Sequence, residues 1–215
     1  MTARATAKRA GTGGPTLVTV GASAGGPGAL ATVLSALPKT YRGTIVVLQH
    51  VDAQFAVGMA SWLGEQIALP VDVAKEGDTL APGMVVLAAG DDVHLTLGAA
   101  GLLRYVRADA DATRRAYAPS IDVFFESVAA HWRGPAVGVL LTGMGRDGAQ
   151  GLRAMRDAGA VTIAQDQASS VVYGMPKAAA ELAAASEILP LGHIGPRLLQ
   201  LEQTPPLPLR QGAHG

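Results

Sequence analysis

The chain has 215 residues, of which 49% are hydrophobic and 16% charged, with a formal net charge of zero and an isoelectric point near 7. A neutral chain with 4% aromatic residues offers neither a basic surface nor stacking side chains, which argues against nucleic-acid binding. The absence of cysteine excludes disulfides, thiolate metal sites and a cysteine nucleophile. Since no apolar stretch is long enough for membrane insertion, we expect a soluble cytoplasmic protein.

The two ends of the chain are predicted to lie outside the folded domain. Residues 1–14 lack the apolar core of a secretory signal and are expected to form a disordered tail. Residues 203–215 are rich in proline and are expected to form a flexible tail. Between them, residues 15–202 show neither a break in composition nor an internal repeat, which predicts one domain.

Strand and helix patterns alternate along that domain. The predicted strands cover 16–21, 44–49, 71–74, 84–88, 136–141, 160–164 and 187–190, and the predicted helices cover 26–36, 54–68, 121–132, 148–158, 175–185 and 194–202. Residues 93–97 and 102–106 form a predicted hairpin, and 107–118 a loop. Continuous apolar strands are typical of a sheet buried on both faces. We therefore predict an α/β fold with a doubly wound, mostly parallel sheet flanked by helices and an inserted antiparallel β-hairpin.

A serine lies in a glycine-rich turn directly after the first predicted strand, in the run Gly21-Ala22-Ser23-Ala24-Gly25-Gly26. A strand that stops at Gly-x-Ser-x-Gly and continues into a helix is the pattern of a nucleophile elbow. Two other interpretations remain open, a phosphate-binding loop and a plain tight turn. The dinucleotide-binding spacing Gly-x-Gly-x-x-Gly is absent, which disfavours the phosphate loop.

Polar side chains follow three of the predicted strands. Ser23 follows the first strand, His50 the second, and Asp147 lies in the loop after the strand at 136–141. The carboxyl ends of parallel strands meet at one edge of the sheet, where such folds bind ligands. A serine, a histidine and an aspartate are the parts of a catalytic triad.

Each member also has a simpler interpretation. A histidine at a strand end is more often a hydrogen-bonded boundary residue than a base, and Asp147 is well placed to cap the helix that follows it. The rival carboxylates Asp52, Asp122 and Asp166 likewise have the pattern of helix caps or loop residues. The order serine, histidine, aspartate also differs from that of an α/β-hydrolase.

Residues 16–191 resemble the catalytic domain of the bacterial chemotaxis receptor methylesterase, a protein-glutamate methylesterase that is also a glutamine deamidase. The resemblance is carried by several long motifs in the family's order. They include the serine turn at 21–26, Gln49-His50, Pro119-Ser120-Ile121-Asp122-Val123-Phe124-Phe125, the loop Leu141-Thr142-Gly143-Met144-Gly145-Arg146-Asp147-Gly148-Ala149, and the run from Ala164 to Pro176.

The resemblance implies a role for each of these side chains. Ser23 would be the nucleophile, His50 the general base and Asp147 its partner. Met144 would lie at the oxyanion site and act through its backbone amide, and we expect the amide of Ala24 to act with it. No metal and no cofactor is implied.

The implied substrate is a glutamyl ester on the cytoplasmic helical bundle of a methyl-accepting chemoreceptor. We expect a flat crevice whose rim includes Gly25, Gly26 and Met175, although Pro176 has the equally good interpretation of starting the next helix.

Three features depart from the family's pattern, of which Ala89, standing where a proline is common, is expected to have no effect. Asp52 stands where the family usually has a proline, which places a second carboxylate near His50. Many members begin with a phosphoacceptor receiver domain, whereas about 15 residues precede the first strand here. We therefore expect no receiver domain in this chain. Three alternatives remain open: regulation by a separate response regulator or other activator as a partner, constitutive activity, or a sequence that is a fragment. A non-catalytic regulatory or binding module is the alternative function, and nucleotide binding ranks third.

Overall fold

The computed structural model describes residues 15–108 and 118–210. The expected disordered tail at 1–14, the end of the chain beyond residue 210 and most of the expected loop at 107–118 lie outside the described residues. Within the described ranges, no helix is both long enough and apolar enough to cross a membrane.

In the part of the chain that the structure describes, nine strands form two sheets. They are β1 Leu17–Ala22, β2 Thr44–Gln49, β3 Val71–Val73, β4 Val85–Leu87, β5 Val93–Leu97, β6 Leu103–Arg107, β7 Ala136–Leu140, β8 Val161–Gln165 and β9 Glu187–Leu189. Seven of them pair in the order β3-β4-β2-β1-β7-β8-β9 with every pairing parallel, and β5 and β6 form the separate antiparallel hairpin. The direction of winding reverses between β1 and β7, and this is where a doubly wound sheet opens a crevice beyond its carboxyl edge.

Among residues 15–108 and 118–210, six helices cover the larger sheet. They are α1 Gly26–Ser35, α2 Ala53–Gln66, α3 Ile121–His131, α4 Ala149–Asp157, α5 Met175–Glu181 and α6 Leu191–Gln203. Two predicted boundaries differ from the observed ones by more than two residues. Helix α5 stops four residues earlier than predicted, because the chain turns at Ala183, which has a φ of 49°, and leads into β9. Helix α6 begins three residues earlier, directly after Pro190.

The apolar side chains pack in two layers, one on each face of the sheet. Leu30, Leu63 and Leu198 represent the layer under α1, α2 and α6. Phe124 and Leu152 represent the layer under α3, α4 and α5, which also takes in the hairpin. Because β1 and β2 are buried along their whole length, their carboxyl ends are held rigidly between these layers.

Beyond α6 the chain has no regular secondary structure, yet its backbone is bonded to the domain. The Leu209 amide donates to Gly134 O at 3.3 Å and the Arg210 amide to Ala158 O at 2.7 Å. The Leu209 side chain is buried. The part of the expected C-terminal tail that the structure describes is therefore held against the domain at two adjacent residues.

Candidate active site

Ser23 and His50 lie side by side because the strands before them are neighbours in register. Ala22 pairs with Gln49, and the His50 amide donates to Ala22 O at 3.1 Å. On the other side, the Ser23 amide donates to Thr142 O at 3.0 Å, which ties the serine to the end of β7. The serine therefore lies at the point where the winding of the sheet reverses.

The turn after Ser23 is tight. The Gly26 amide donates to Ser23 O at 2.7 Å, and Gly25 adopts a left-handed conformation with a φ of 78°. A side chain at position 25 would also overlap Val171. This geometry leaves Ser23 partly exposed at the start of α1, whose first amides face the turn.

His50 and Asp147 form a close, almost buried pair. His50 Nε2 lies 2.8 Å from Asp147 Oδ2, and the two side chains are 10% and 5% exposed. Since Nε2 is engaged by the carboxylate, Nδ1 is the ring nitrogen that can exchange a proton with a serine hydroxyl.

Asp147 accepts four hydrogen bonds, one from His50 and three from the residues at the start of α3. His50 Nε2 and the Ile121 amide both bond Asp147 Oδ2, each at 2.8 Å. The Ser120 hydroxyl and the Asp122 amide donate to Oδ1 at 2.8 and 3.0 Å. Burial raises the pKa of Asp147, but the hydrogen bonds from His50, Ile121 and Asp122 outweigh it and hold the pKa below its usual value. The carboxylate therefore stays ionised and can stabilise an imidazolium.

The interpretation of Asp147 as the cap of the helix that follows it, α4, was wrong, because its carboxylate caps α3. The carboxylate bonds the first amides of α3, whereas the N-cap of α4 is Gly148 with a φ of 87°. It is Asp122 that serves α4, since its Oδ1 accepts from the Gly151 amide at 2.7 Å. Burial, with the nearby charges of Asp147 and Glu126, raises the pKa of Asp122 to about 6, despite the opposing bond from Gly151.

Two buried polar side chains that the sequence analysis did not single out organise the loop after β7. Thr142 Oγ1 donates to Ala24 O and accepts from the Val172 amide, both at 2.9 Å. Gln165 Oε1 accepts from the Thr142 amide at 2.8 Å. The only signal in the sequence was that both residues fall inside motifs of the family.

The Ala24 amide follows Ser23 directly, and the Met144 amide lies in the loop after β7, to which the Ser23 amide is bonded through Thr142 O. Across the two described ranges, neither the Ala24 amide nor the Met144 amide donates to a protein atom. The Met144 side chain is 70% exposed, and its amide follows Gly143, where an added Cβ would lie 2.8 Å from the Ser23 Cβ.

The expected rim differs from the observed one. Ala24 and Gly25 are exposed, but Gly26 is buried and Met175 is fully buried. Met175 is the first residue of α5, and its side chain points inward. Its sulfur occupies the space that a side chain on Gly143 would need. The exposed apolar surface next to Gly25 is instead Val171, which is 75% exposed.

Asp52 lies at the N-cap position of α2 and is exposed. Its side chain makes no capping hydrogen bond, and its carbonyl accepts from the Phe55 amide at 2.9 Å. Across 15–108 and 118–210, no three histidine, aspartate or glutamate side chains gather as a metal site requires.

A family model described as CheB methylesterase matches residues 18–198 of the chain. The chain belongs to the CheB methylesterase family. It is 62% identical over 185 residues to protein-glutamate methylesterase/protein-glutamine glutaminase 2 of Cupriavidus metallidurans, an alignment covering 86% of this chain and 54% of that protein. It is 58% identical over 193 residues to protein-glutamate methylesterase/protein-glutamine glutaminase 1 of Bordetella avium, covering 90% of this chain and 55% of that protein.

The fold agrees with this membership. The crystal structure of the Thermotoga maritima CheB methylesterase catalytic domain superposes with a TM-score of 0.78 at 33% identity, covering 87% of this chain and 98% of that domain. The family and the fold class predicted from the sequence are therefore confirmed. The chain spans about half the length of the curated CheB relatives that it matches.

Proposed function

We propose that the chain is a serine hydrolase that removes methyl groups from glutamate γ-methyl esters of chemoreceptors and deamidates receptor glutamines. The observation that carries the proposal is the hydrogen-bonded His50–Asp147 pair, which lies beside Ser23 at the carboxyl edge of the sheet. Membership of the CheB methylesterase family, with relatives named for both activities, supports the substrate class.

In the first half-reaction, the Ser23 oxygen attacks the γ-carbonyl carbon of the ester as its proton passes to His50 Nδ1. The imidazolium that forms is stabilised by the ionised Asp147 carboxylate at Nε2. The carbonyl oxygen becomes an oxyanion and accepts hydrogen bonds from the amides of Ala24 and Met144. The tetrahedral intermediate collapses when the carbon–methoxy bond breaks, and methanol leaves with the proton of His50.

In the second half-reaction, water attacks the acyl-enzyme while His50 accepts its proton. The bond to the Ser23 oxygen then breaks, His50 returns the proton to the serine, and glutamate remains on the receptor. A glutamine side chain follows the same course with ammonia as the leaving group. No other reactant is consumed.

The surface around the crevice supports a protein substrate. Met144 and Val171 are 70% and 75% exposed. Val171 lies against Gly25 of the serine turn, and Met144 follows Gly143, which lies next to Ser23. Exposed apolar side chains beside a catalytic crevice favour contact with another macromolecule. We propose the cytoplasmic helical bundle of a chemoreceptor as this partner, a separate response regulator or other activator as a second, and the cytoplasm as the location.

The test is methanol release from a methylated chemoreceptor fragment by the wild type and Ser23→Ala. We expect release by the wild type and a loss of several decades in rate with Ser23→Ala. Ser35→Ala is the matched control, since Ser35 is exposed at the end of α1, and we expect it to keep the wild-type rate. Equal release by wild type and Ser23→Ala would refute the nucleophile, and no release by either would favour the non-catalytic binding module.

A further inference from the structure

Gln49 joins the backbones of the two reacting residues. It is the last residue of β2 and only 3% exposed. Its side-chain Nε2 donates to Ser23 O at 3.0 Å and to His50 O at 3.1 Å. One buried amide therefore links the chain at the nucleophile with the chain at the base.

The bond to Ser23 O also fixes a neighbouring amide. The Ser23 carbonyl and the Ala24 N–H belong to one planar trans peptide, so they point in opposite directions. This carbonyl is held by two donors, Gln49 Nε2 at 3.0 Å and the Gly26 amide at 2.7 Å. Holding the carbonyl on one side of the peptide aims the Ala24 N–H out of the other.

The second amide of the oxyanion site is held in the same way. The Met144 N–H shares a peptide with Gly143 O, which accepts from the Gly174 amide at 3.1 Å and the Met175 amide at 2.9 Å. Each oxyanion donor thus belongs to a peptide whose carbonyl is fixed by two hydrogen bonds. In the Ala24 peptide one of those bonds comes from a side chain, so it can be removed by substitution.

We infer that Gln49 is a positioning residue that orients the Ala24 amide toward the oxyanion and holds the Ser23 and His50 backbones in register. This inference rests on the proposed function, since it presumes that Ala24 binds the oxyanion.

The chemistry of the site selects an amide side chain at position 49. Two carbonyl oxygens face Nε2, and only a donor can satisfy both. Across 15–108 and 118–210, Gln49 Oε1 has no hydrogen-bond partner, and it lies where a side chain on Gly26 would stand. The donor half of the Gln49 amide is therefore the half that the site uses.

Two variants test the inference. Gln49→Met keeps the length of the side chain and removes the donor, and Gln49→Glu keeps its shape and puts an acceptor against two acceptors. Loss of a whole oxyanion donor lowers kcat about 10²–10³-fold, so we expect loss of its orientation to lower kcat about 10–100-fold. We expect KM to change less than about threefold, because a transition-state interaction is affected and not ground-state binding.

Thr162→Val is the matched structural control. Thr162 is fully buried in β8, its Oγ1 donates to Ala184 O at 2.7 Å, and it accepts from the Ser186 amide at 2.9 Å. Thr162→Val removes two buried hydrogen bonds, as the Gln49 variants do, but at a site that does not contact the crevice. We expect a lower Tm with kcat unchanged, whereas the Gln49 variants lower kcat even at temperatures where they remain folded.

Phosphonylation of Ser23 by a fluorophosphonate provides a readout that needs no receptor, since its phosphoryl oxygen occupies the oxyanion site. We expect the labelling rate to fall with kcat in both Gln49 variants and to stay at the wild-type value in Thr162→Val. Wild-type labelling rates in folded Gln49 variants would overturn the inference, even if methanol release had already refuted the proposed substrate. A wild type that labels at a residue other than Ser23 would overturn both proposals.

Discussion

Replacing Asp122 with asparagine should stabilise the protein, most strongly at alkaline pH. The Asp122 carboxylate accepts from the Gly151 amide at 2.7 Å and lies close to the charges of Asp147 and Glu126. Burial is the largest reason why its pKa is raised to about 6. Asparagine keeps the oxygen that bonds Gly151 and removes the negative charge, so the capping bond survives while the cost of burying a charge is lost.

The magnitude follows from the pKa. A rise from 3.8 to about 6 corresponds to roughly 3 kcal/mol at about 1.4 kcal/mol per unit, and partial exposure of the side chain reduces this to about 1–3 kcal/mol. Because the folded pKa is the higher one, the proton on Asp122 stabilises the fold. That contribution is full below about pH 4 and is lost as the pH rises through about 6. Asp122→Asn should therefore exceed the wild type by about 1–3 kcal/mol at pH 8, and the difference should shrink toward pH 4.5.

The assay is urea unfolding of both proteins at intervals from pH 4.5 to pH 8, with Tm measured in parallel. For a domain of this size, about 1 kcal/mol corresponds to about 2–4 °C in Tm. Asp157→Asn is the control, since that carboxylate is 59% exposed in an i,i+4 pair with Arg153, and we expect a change within about 0.5 kcal/mol. A variant less stable than the wild type at pH 8, or a gain that is the same at pH 4.5 and pH 8, would refute the reasoning.

Two further substitutions test the geometry around the triad. Asp147→Asn turns one carboxylate oxygen into a donor that faces another donor, so we expect unfolding free energy to fall by about 1–3 kcal/mol and kcat by about 10⁴-fold, measured by urea unfolding and methanol release. An unchanged free energy of unfolding in Asp147→Asn would contradict the conclusion that the Asp147 carboxylate caps α3. Gly143→Ala places a Cβ 2.8 Å from the Ser23 Cβ and into the sulfur of Met175, so both kcat and Tm should fall. A wild-type kcat in this variant would mean that the loop after β7 can move away from Ser23 at no cost.

The sequence was enough to place the three triad candidates at one edge of the sheet. Ser23 and His50 each follow a buried strand, and pairing of the two strands in register makes their ends neighbours. This information is local, since it needs only a strand pattern and the polar residue after it. The hydrogen bonds of Asp147 were not predictable in this way, because they come from Ser120 and Ile121, which the packing of α3 brings to the loop.

The burial of Met175, which was expected on the rim, has a related reason. Met175 lies in a glycine- and proline-containing run that reads equally well as an exposed loop or as the start of a helix. The structure buries it because the amides of Gly174 and Met175 both bond Gly143 O, which turns the first residue of α5 inward. A contact between Gly143 and residues 174 and 175, far apart in the sequence, leaves no periodic pattern around either position.

The Asp147 carboxylate is fixed by backbone amides at the junction of two helices. Asp147 precedes α4 and binds the start of α3, while Asp122 lies in α3 and binds the first turn of α4. These reciprocal hydrogen bonds require α3 and α4 to pack closely. Gly151 permits this, because a Cβ there would lie 2.7 Å from Asp122 O and 2.6 Å from the Phe125 Cβ. Because amides of α3 share Asp147 with His50, the same bonds that join the helices keep the carboxylate ionised and aimed at the imidazole. The orientation of the His50 imidazole is thus coupled to the packing of α3 on α4.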